Sequence, residues 1–173
     1  MDLRPVTSRS IPLQKPGHSR QDHSTPKVFL DAVKKRFGFK EFAWDLAAHE
    51  HNHVCANWIG PGSKKATDSL TYDWTKLQGE LWLNPPFGRI EPWAELCAAT
   101  NLNGGRIFFL APASVGANWY ARHVHGEAHV FFLNGRLSFD GIAPYPKDCL
   151  LACYGPKPGY EVWRWRDALG KNL

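Results

Sequence analysis

The chain has 173 residues, a formal net charge of +5, 43% hydrophobic residues and eight tryptophans. That length suits one domain with a core of its own, and the basic balance, with a pI near 9.1, favours an anionic partner such as nucleic acid. No apolar run is long enough for a bilayer and no apolar signal core follows the first charges, which argues against a membrane protein and for a cytoplasmic one.

Residues 1–24 mix Pro, Ser, Gly, Arg and Lys without periodicity and read as a flexible basic arm ahead of a single domain over 25–173. The stretch TPKVFLDAVKKRFGF then predicts a helix. Thr25 is its N-cap candidate, Pro26 takes the first helical position, and Val28, Phe29, Ala32, Val33 and Phe37 recur at helical spacing until Gly38 closes it. Short apolar runs follow in EFAWDLAA, LWLN, GRIFFLAP, HVFFL and CLLACYG, separated by the amphipathic segments EPWAELCAAT and GANWYARHVH. Continuous apolar strands alternating with helices predict an α/β layer architecture, with a mostly parallel sheet covered on both faces. No helix is expected in NGRLSFDGIAPYPKD, so the last two of these strands are expected to pair antiparallel and to form an antiparallel edge. EVWRWRDALGK alternates Trp163 and Trp165 with Arg164 and Arg166, which suits either an edge strand or contact with a nucleic acid backbone; the edge strand is the preferred reading. In a parallel sheet a ligand lies beyond the carboxyl ends of the strands, where Asp45, Asn84 and Pro112 are expected.

One of those strand ends, LWLNPPFGRI, is chemically distinctive. Pro86 keeps Pro85 out of helical geometry and Pro85 has no N–H, so the turn is a rigid display of carbonyls, one carboxamide and one aromatic ring. The two N–H donors of a planar exocyclic amine can be met by the Asn84 side-chain oxygen and the Pro85 carbonyl, with Phe87 stacked on the ring. Accepting both hydrogens pushes the nitrogen toward a tetrahedral form and makes its lone pair nucleophilic. A sulfonium methyl group is the matching electrophile, so the motif suits amino-group methylation by orientation and electrostatics. A proline-rich turn capping a buried strand is the plain alternative.

TPK at 25–27, WDLAA at 44–48, HNHVC at 51–55, DSL followed by Trp74, and LWLNPPF at 81–87 together resemble the phage-type DNA N6-adenine methyltransferase family, often called Dam-like. The likeness runs from about Thr25 to Gly155. It implies a Rossmann-like fold, S-adenosylmethionine as cofactor, double-stranded DNA as partner, and a phage or prophage protein working in a bacterial cytoplasm. NPPF corresponds to the family's catalytic (D/N)PP(Y/F) motif, so Asn84 and Pro85 are expected on the target amine, Pro86 in the turn and Phe87 on the base. Asp45, with Leu46, Ala47 and Ala48, is expected to line the cofactor pocket. Asp68 is expected on the cofactor's adenine amine, and Thr25, Pro26 and Lys27 in a turn closing over it. DLAA stands where a glycine-rich FxGxG loop would follow the first strand, so cofactor binding rests on the resemblance. NPP(Y/F) also marks enzymes that methylate glutamine side chains or RNA bases, which leaves an RNA or protein target open, as does a catalytically silent DNA-binding relative.

A duplex target has to be flipped out of the stack at a cost of a few kcal/mol. Arg136 and Phe139 are expected near the flipped base, and Lys147, Arg89, Lys64 and Lys65 on phosphates. Asp45 and Asp68 equally suit capping and Asx-turn roles. His49, His51, His53 and Cys55 fall within seven residues, but structural zinc draws on two separated ligand pairs and only one is present, so no metal is expected. Cys55, Cys97, Cys149 and Cys153 form no CxxC pair and are expected as buried free thiols; Phe108, Phe109, Phe131 and Phe132 are expected in the core.

Overall fold

A computed structural model describes residues 24–139, 141 and 143–170; the arm expected over 1–24 lies, apart from Ser24, outside them. Among the described residues the first elements are α1 (Lys27–Phe37) and β1 (Trp44–Asp45). A long irregular segment then leads to β2 (Glu80–Leu83), α2 (Glu91–Ala99), β3 (Arg106–Pro112), α3 (Asn118–His123), β4 (His129–Leu133), β5 (Cys149–Tyr154) and β6 (Gly159–Trp163). The six strands form one sheet in the order β1-β2-β3-β5-β4-β6. Pairing is parallel for β1 with β2, β2 with β3 and β4 with β6, and antiparallel on both sides of β5. The architecture is therefore mixed α/β, as the alternation of apolar runs implies.

Strand alternation divides the core in two. Leu81, Leu83, Ile107, Phe109, Ala152 and Val130 face α2 and α3, where Ala94, Cys97, Trp119 and Tyr120 complete one cluster. Trp82, Phe108, Leu110, Phe131 and Leu151 face α1 and meet Phe29, Ala32 and Val33. Phe108 and Phe109 are fully buried on opposite faces, while Phe131 is buried and Phe132 half-buried. At the amino ends of β2 and β3, Glu80 and Arg106 stand directly opposite and pair in a fork, with Nη2 to Oε1 at 2.6 Å and Nε to Oε2 at 2.8 Å.

Two sequence expectations change. The antiparallel strand is interior, because β5 is buried along its whole length and inserts between β3 and β4; CLLACY is a run that needs cover on both faces. One sheet edge is β6, parallel to β4, in line with the edge strand preferred for EVWRWRDALGK; Trp163 and Trp165 are buried at 5% and 4% exposure, so neither indole is available for stacking on a base. Pro26 is the N-cap of α1 and not its first helical residue, and no side chain caps that end; the closing Gly38 is left-handed at φ 74° as expected. Among the described residues no helix is long and apolar enough to cross a membrane. The four cysteines are free thiols, Cys55 half-buried and the others buried.

Candidate active site

Parallel pairing sets the carboxyl ends of β1 and β2 side by side, with Asp45 opposite Trp82. A cavity of about 460 Å³ opens there, lined by Asp45, Ala47, Ala48, Asp68, Asn84, Pro86 and Thr25 among the residues expected in the site. Its volume is within the range of small-molecule sites, about 300–1,000 Å³. Among its described lining residues are two carboxylates and neither lysine nor arginine, in a chain of net charge +5. Such a lining suits a cationic ligand with N–H and O–H donors and disfavours a phosphate-bearing one.

Asp45 ends β1 after two residues by bending the chain back onto its own side chain. Its Oδ1 accepts from Ala47 N at 3.3 Å and its Oδ2 from Val54 N at 3.0 Å, so one carboxylate pins both ends of the 46–54 loop. The side chain is 4% exposed. Burial pushes its pKa up from the ordinary 3.8 to about 6, against the opposing pull of the Val54 and Ala47 N–H groups and of His53. The raised folded value means that the stabilising contribution is complete below pH 3.8 and is lost as pH rises through about 6. In urea unfolding, the stability of the native chain relative to Asp45→Asn is therefore expected to fall between pH 4 and pH 7, by on the order of 2–3 kcal/mol. A difference that stays level or rises would contradict the buried charge.

Outside β1, residues 57–60 run alongside as a further extended segment. Asp45 N donates to Asn57 O (2.9 Å), Ile59 N to Asp45 O (2.8 Å) and Ala48 N to Ile59 O (3.1 Å). Gly60, at φ 144°, then packs against the Ala48 carbonyl, and both residues line the cavity. Farther along, Asp68 Oδ1 accepts from Leu70 N at 3.0 Å in an Asx turn, and the buried Trp74 indole holds Ser69 through Oγ and the carbonyl. Asp68 thus takes the turn role and still lines the cavity.

After β2, Asn84 is half-buried and donates through Nδ2 to Thr25 Oγ1 at 3.0 Å. Pro85 is buried and Pro86 is extended at φ −57°, ψ 119°, entering a single 3-10 turn over Phe87–Arg89. Phe87 packs edge-on to Phe139 and Tyr145, with centroids 6.0 and 5.7 Å away. Phe139, expected beside a flipped base, is 8% exposed and backs Phe87.

Other expected residues lie away from the cavity lining. Leu46 is fully buried in the α2-side core, Pro26 and Lys27 start α1, and Pro112 is buried at the end of β3. Arg89, Lys64 and Lys147 are exposed. Lys65 stands over the Trp44 and Tyr72 rings at 5.5 and 5.6 Å, and Arg136 pairs with Asp148 at 3.3 Å. His49 by contrast lines the cavity and its Nδ1 accepts from His51 N, while His53 stacks on Trp58; among the described residues no three His, Cys, Asp or Glu are grouped to hold a metal ion. Sequence reasoning missed Trp82, Trp93, Asn52 and Gly60 as lining residues. Trp82 was within reach, since it shares a strand face with Asn84 two positions on.

Residues 14–148 match the family described as DNA N-6-adenine-methyltransferase (Dam). A DNA N-6-adenine-methyltransferase of Escherichia phage T1 is 26% identical over 117 residues, which are 68% of this chain and 46% of that protein. The chain therefore spans about half the length of the curated relative it matches.

Proposed function

Because the chain belongs to the DNA N-6-adenine-methyltransferase (Dam) family, we propose that it transfers a methyl group from S-adenosylmethionine to the N6 amine of an adenine flipped out of duplex DNA. The observation that carries this reading is the convergence of Asn84, Asp45 and Asp68 on one cavity whose described lining has no lysine or arginine. S-adenosylmethionine is a cation with an ammonium group, a ribose diol and an adenine amine, which fits that lining; when bound, it supplies an electrophilic methyl on sulfur. Asp45 and Asp68 are the residues to hold it, with the indoles of Trp82 and Trp93 as apolar walls. The fold in this reading is Rossmann-like, formed as one domain over 25–173.

Asn84 Oδ1 and the Pro85 carbonyl accept the two hydrogens of the target amine, which frees the nitrogen lone pair for attack. Transfer would join N6 to the methyl carbon as the methyl–sulfur bond breaks with its electron pair left on a neutral sulfur, and N6 would then give up one proton to solvent. Phe87 holds the base in the plane that attack requires, and the Phe139 and Tyr145 rings behind it resist its displacement. Arg89, Arg136, Lys147, Lys64 and Lys65 supply phosphate contacts, making DNA affinity fall with salt.

Asp68→Ala is expected to weaken cofactor binding by about 1.5–3 kcal/mol, one charge-assisted hydrogen bond, as read by titration calorimetry; unchanged affinity would remove Asp68 from the site. The reading itself is tested by offering labelled S-adenosylmethionine with duplex DNA, RNA and a protein extract in parallel. Label in DNA supports it, and label confined to RNA or protein would replace the substrate.

A further inference from the structure

Thr25 stands just outside α1, next to the Pro26 N-cap, and a threonine at a helix start ordinarily takes the cap position and turns its hydroxyl to the first free N–H groups. Here it does not. The start of α1 has no side-chain cap, and Thr25 Oγ1 instead accepts from Asn84 Nδ2 at 3.0 Å, 59 positions along the chain. Thr25 is 9% exposed, and both residues line the cavity. The backbone on either side is anchored, since Pro26 O accepts from Phe29 N and Leu30 N, and Ser24 Oγ donates to Asn52 Oδ1 at 3.0 Å.

A carboxamide is ambivalent: its oxygen only accepts, its nitrogen only donates, and a half-turn about χ2 exchanges them. At a site that has to receive an amine's hydrogens, that half-turn sets donor against donor. A carboxylate has no wrong face, so an asparagine needs an acceptor on its nitrogen side. We propose that Thr25 is a positioning residue: with its own proton given to a group other than Asn84, its hydroxyl only accepts from Asn84 Nδ2 and so keeps Asn84 Oδ1 turned toward the target amine. This rests on the role of Asn84 proposed above, and it reassigns Thr25 from cofactor contact to orienting the acceptor.

The test compares Thr25→Val and Thr25→Ser, each in the native chain and in the Asn84→Asp background. Thr25→Val is expected to lower kcat about tenfold, one hydrogen bond's worth, with KM for S-adenosylmethionine within about twofold, and Thr25→Ser to restore the rate. In the Asn84→Asp background Thr25→Val should change kcat by less than about twofold, because either carboxylate oxygen accepts. An equal loss in both backgrounds would make Thr25 merely structural and overturn the proposal. A readout independent of turnover is the 15N-labelled side-chain amide of Asn84, identified by its disappearance in Asn84→Asp, which should shift in Thr25→Val. If the native chain transfers no methyl group, the proposed function fails, and this resonance alone decides: a signal unmoved by Thr25→Val overturns the orienting bond.

Discussion

Asn84→Ala is expected to lower the rate of methyl transfer by about 10²–10³-fold, the usual loss when one group aimed at developing charge is removed. Affinity for S-adenosylmethionine should stay within about twofold, because the carboxamide is assigned to the target amine and the cofactor to Asp45 and Asp68. Stability should fall by only about 1 kcal/mol, since Asn84 is half-buried and the deletion breaks its bond to Thr25. Asn84→Asp keeps an acceptor in place and should retain most of the activity. The two are best compared in single-turnover reactions at saturating cofactor, which separate chemistry from binding. A full-rate Asn84→Ala would end the assignment of the motif.

Gly60→Ala is expected to be the most damaging single-methyl change in the cavity wall. An added Cβ would come far inside van der Waals contact distance of the Ala48 carbonyl oxygen and 3.0 Å from its carbon, both backbone atoms with no rotamer to yield. The φ of 144° adds strain that only glycine avoids. Relief requires residues 57–60 to move away from β1, which breaks the Ala48 N to Ile59 O bond and opens the cavity between Ala48 and Gly60. The cost should be about 3 kcal/mol or more, together with at least about tenfold weaker cofactor binding, since one lost oriented contact is worth that much. Gly62→Ala is the control in the same loop: its φ is 90°, but its Cβ meets only side-chain atoms at 3.5 Å and beyond. It should cost about 1 kcal/mol, backbone strain alone. Thermal unfolding and calorimetry of the two variants decide the matter, and equal effects would contradict the close approach at Gly60.

What was legible in the sequence was local. The period of Phe29, Ala32 and Val33, the left-handed Gly38, and the rigid turn after LWLN depend on neighbours within a few positions and appear where expected. The pairing order was not legible, because β5 is placed by contacts with β3 and β4 across the molecule and a run such as CLLACY does not say which strands flank it. EFAWDLAA looks like one apolar strand, yet β1 stops at Asp45 because that carboxylate bonds to the N–H of Val54, nine positions on. Thr25 shows the same limit at the site: it reads as the N-cap of α1, whereas Pro26 takes that position and Thr25 bonds to the remote Asn84. Trp93 enters the cavity from α2, and no periodicity distinguished it from a core residue.

The most direct measurement is the identity of the methylated nucleoside. Unmethylated duplex DNA is incubated with the protein and S-adenosylmethionine carrying a labelled methyl group, digested to nucleosides and analysed by mass, with Asn84→Ala alongside. Label in N6-methyldeoxyadenosine for the native chain, and next to none for Asn84→Ala, is the predicted result. Label on the cytosine amine, equal label from both proteins, or no label in DNA would contradict an adenine held by Asn84 and Pro85.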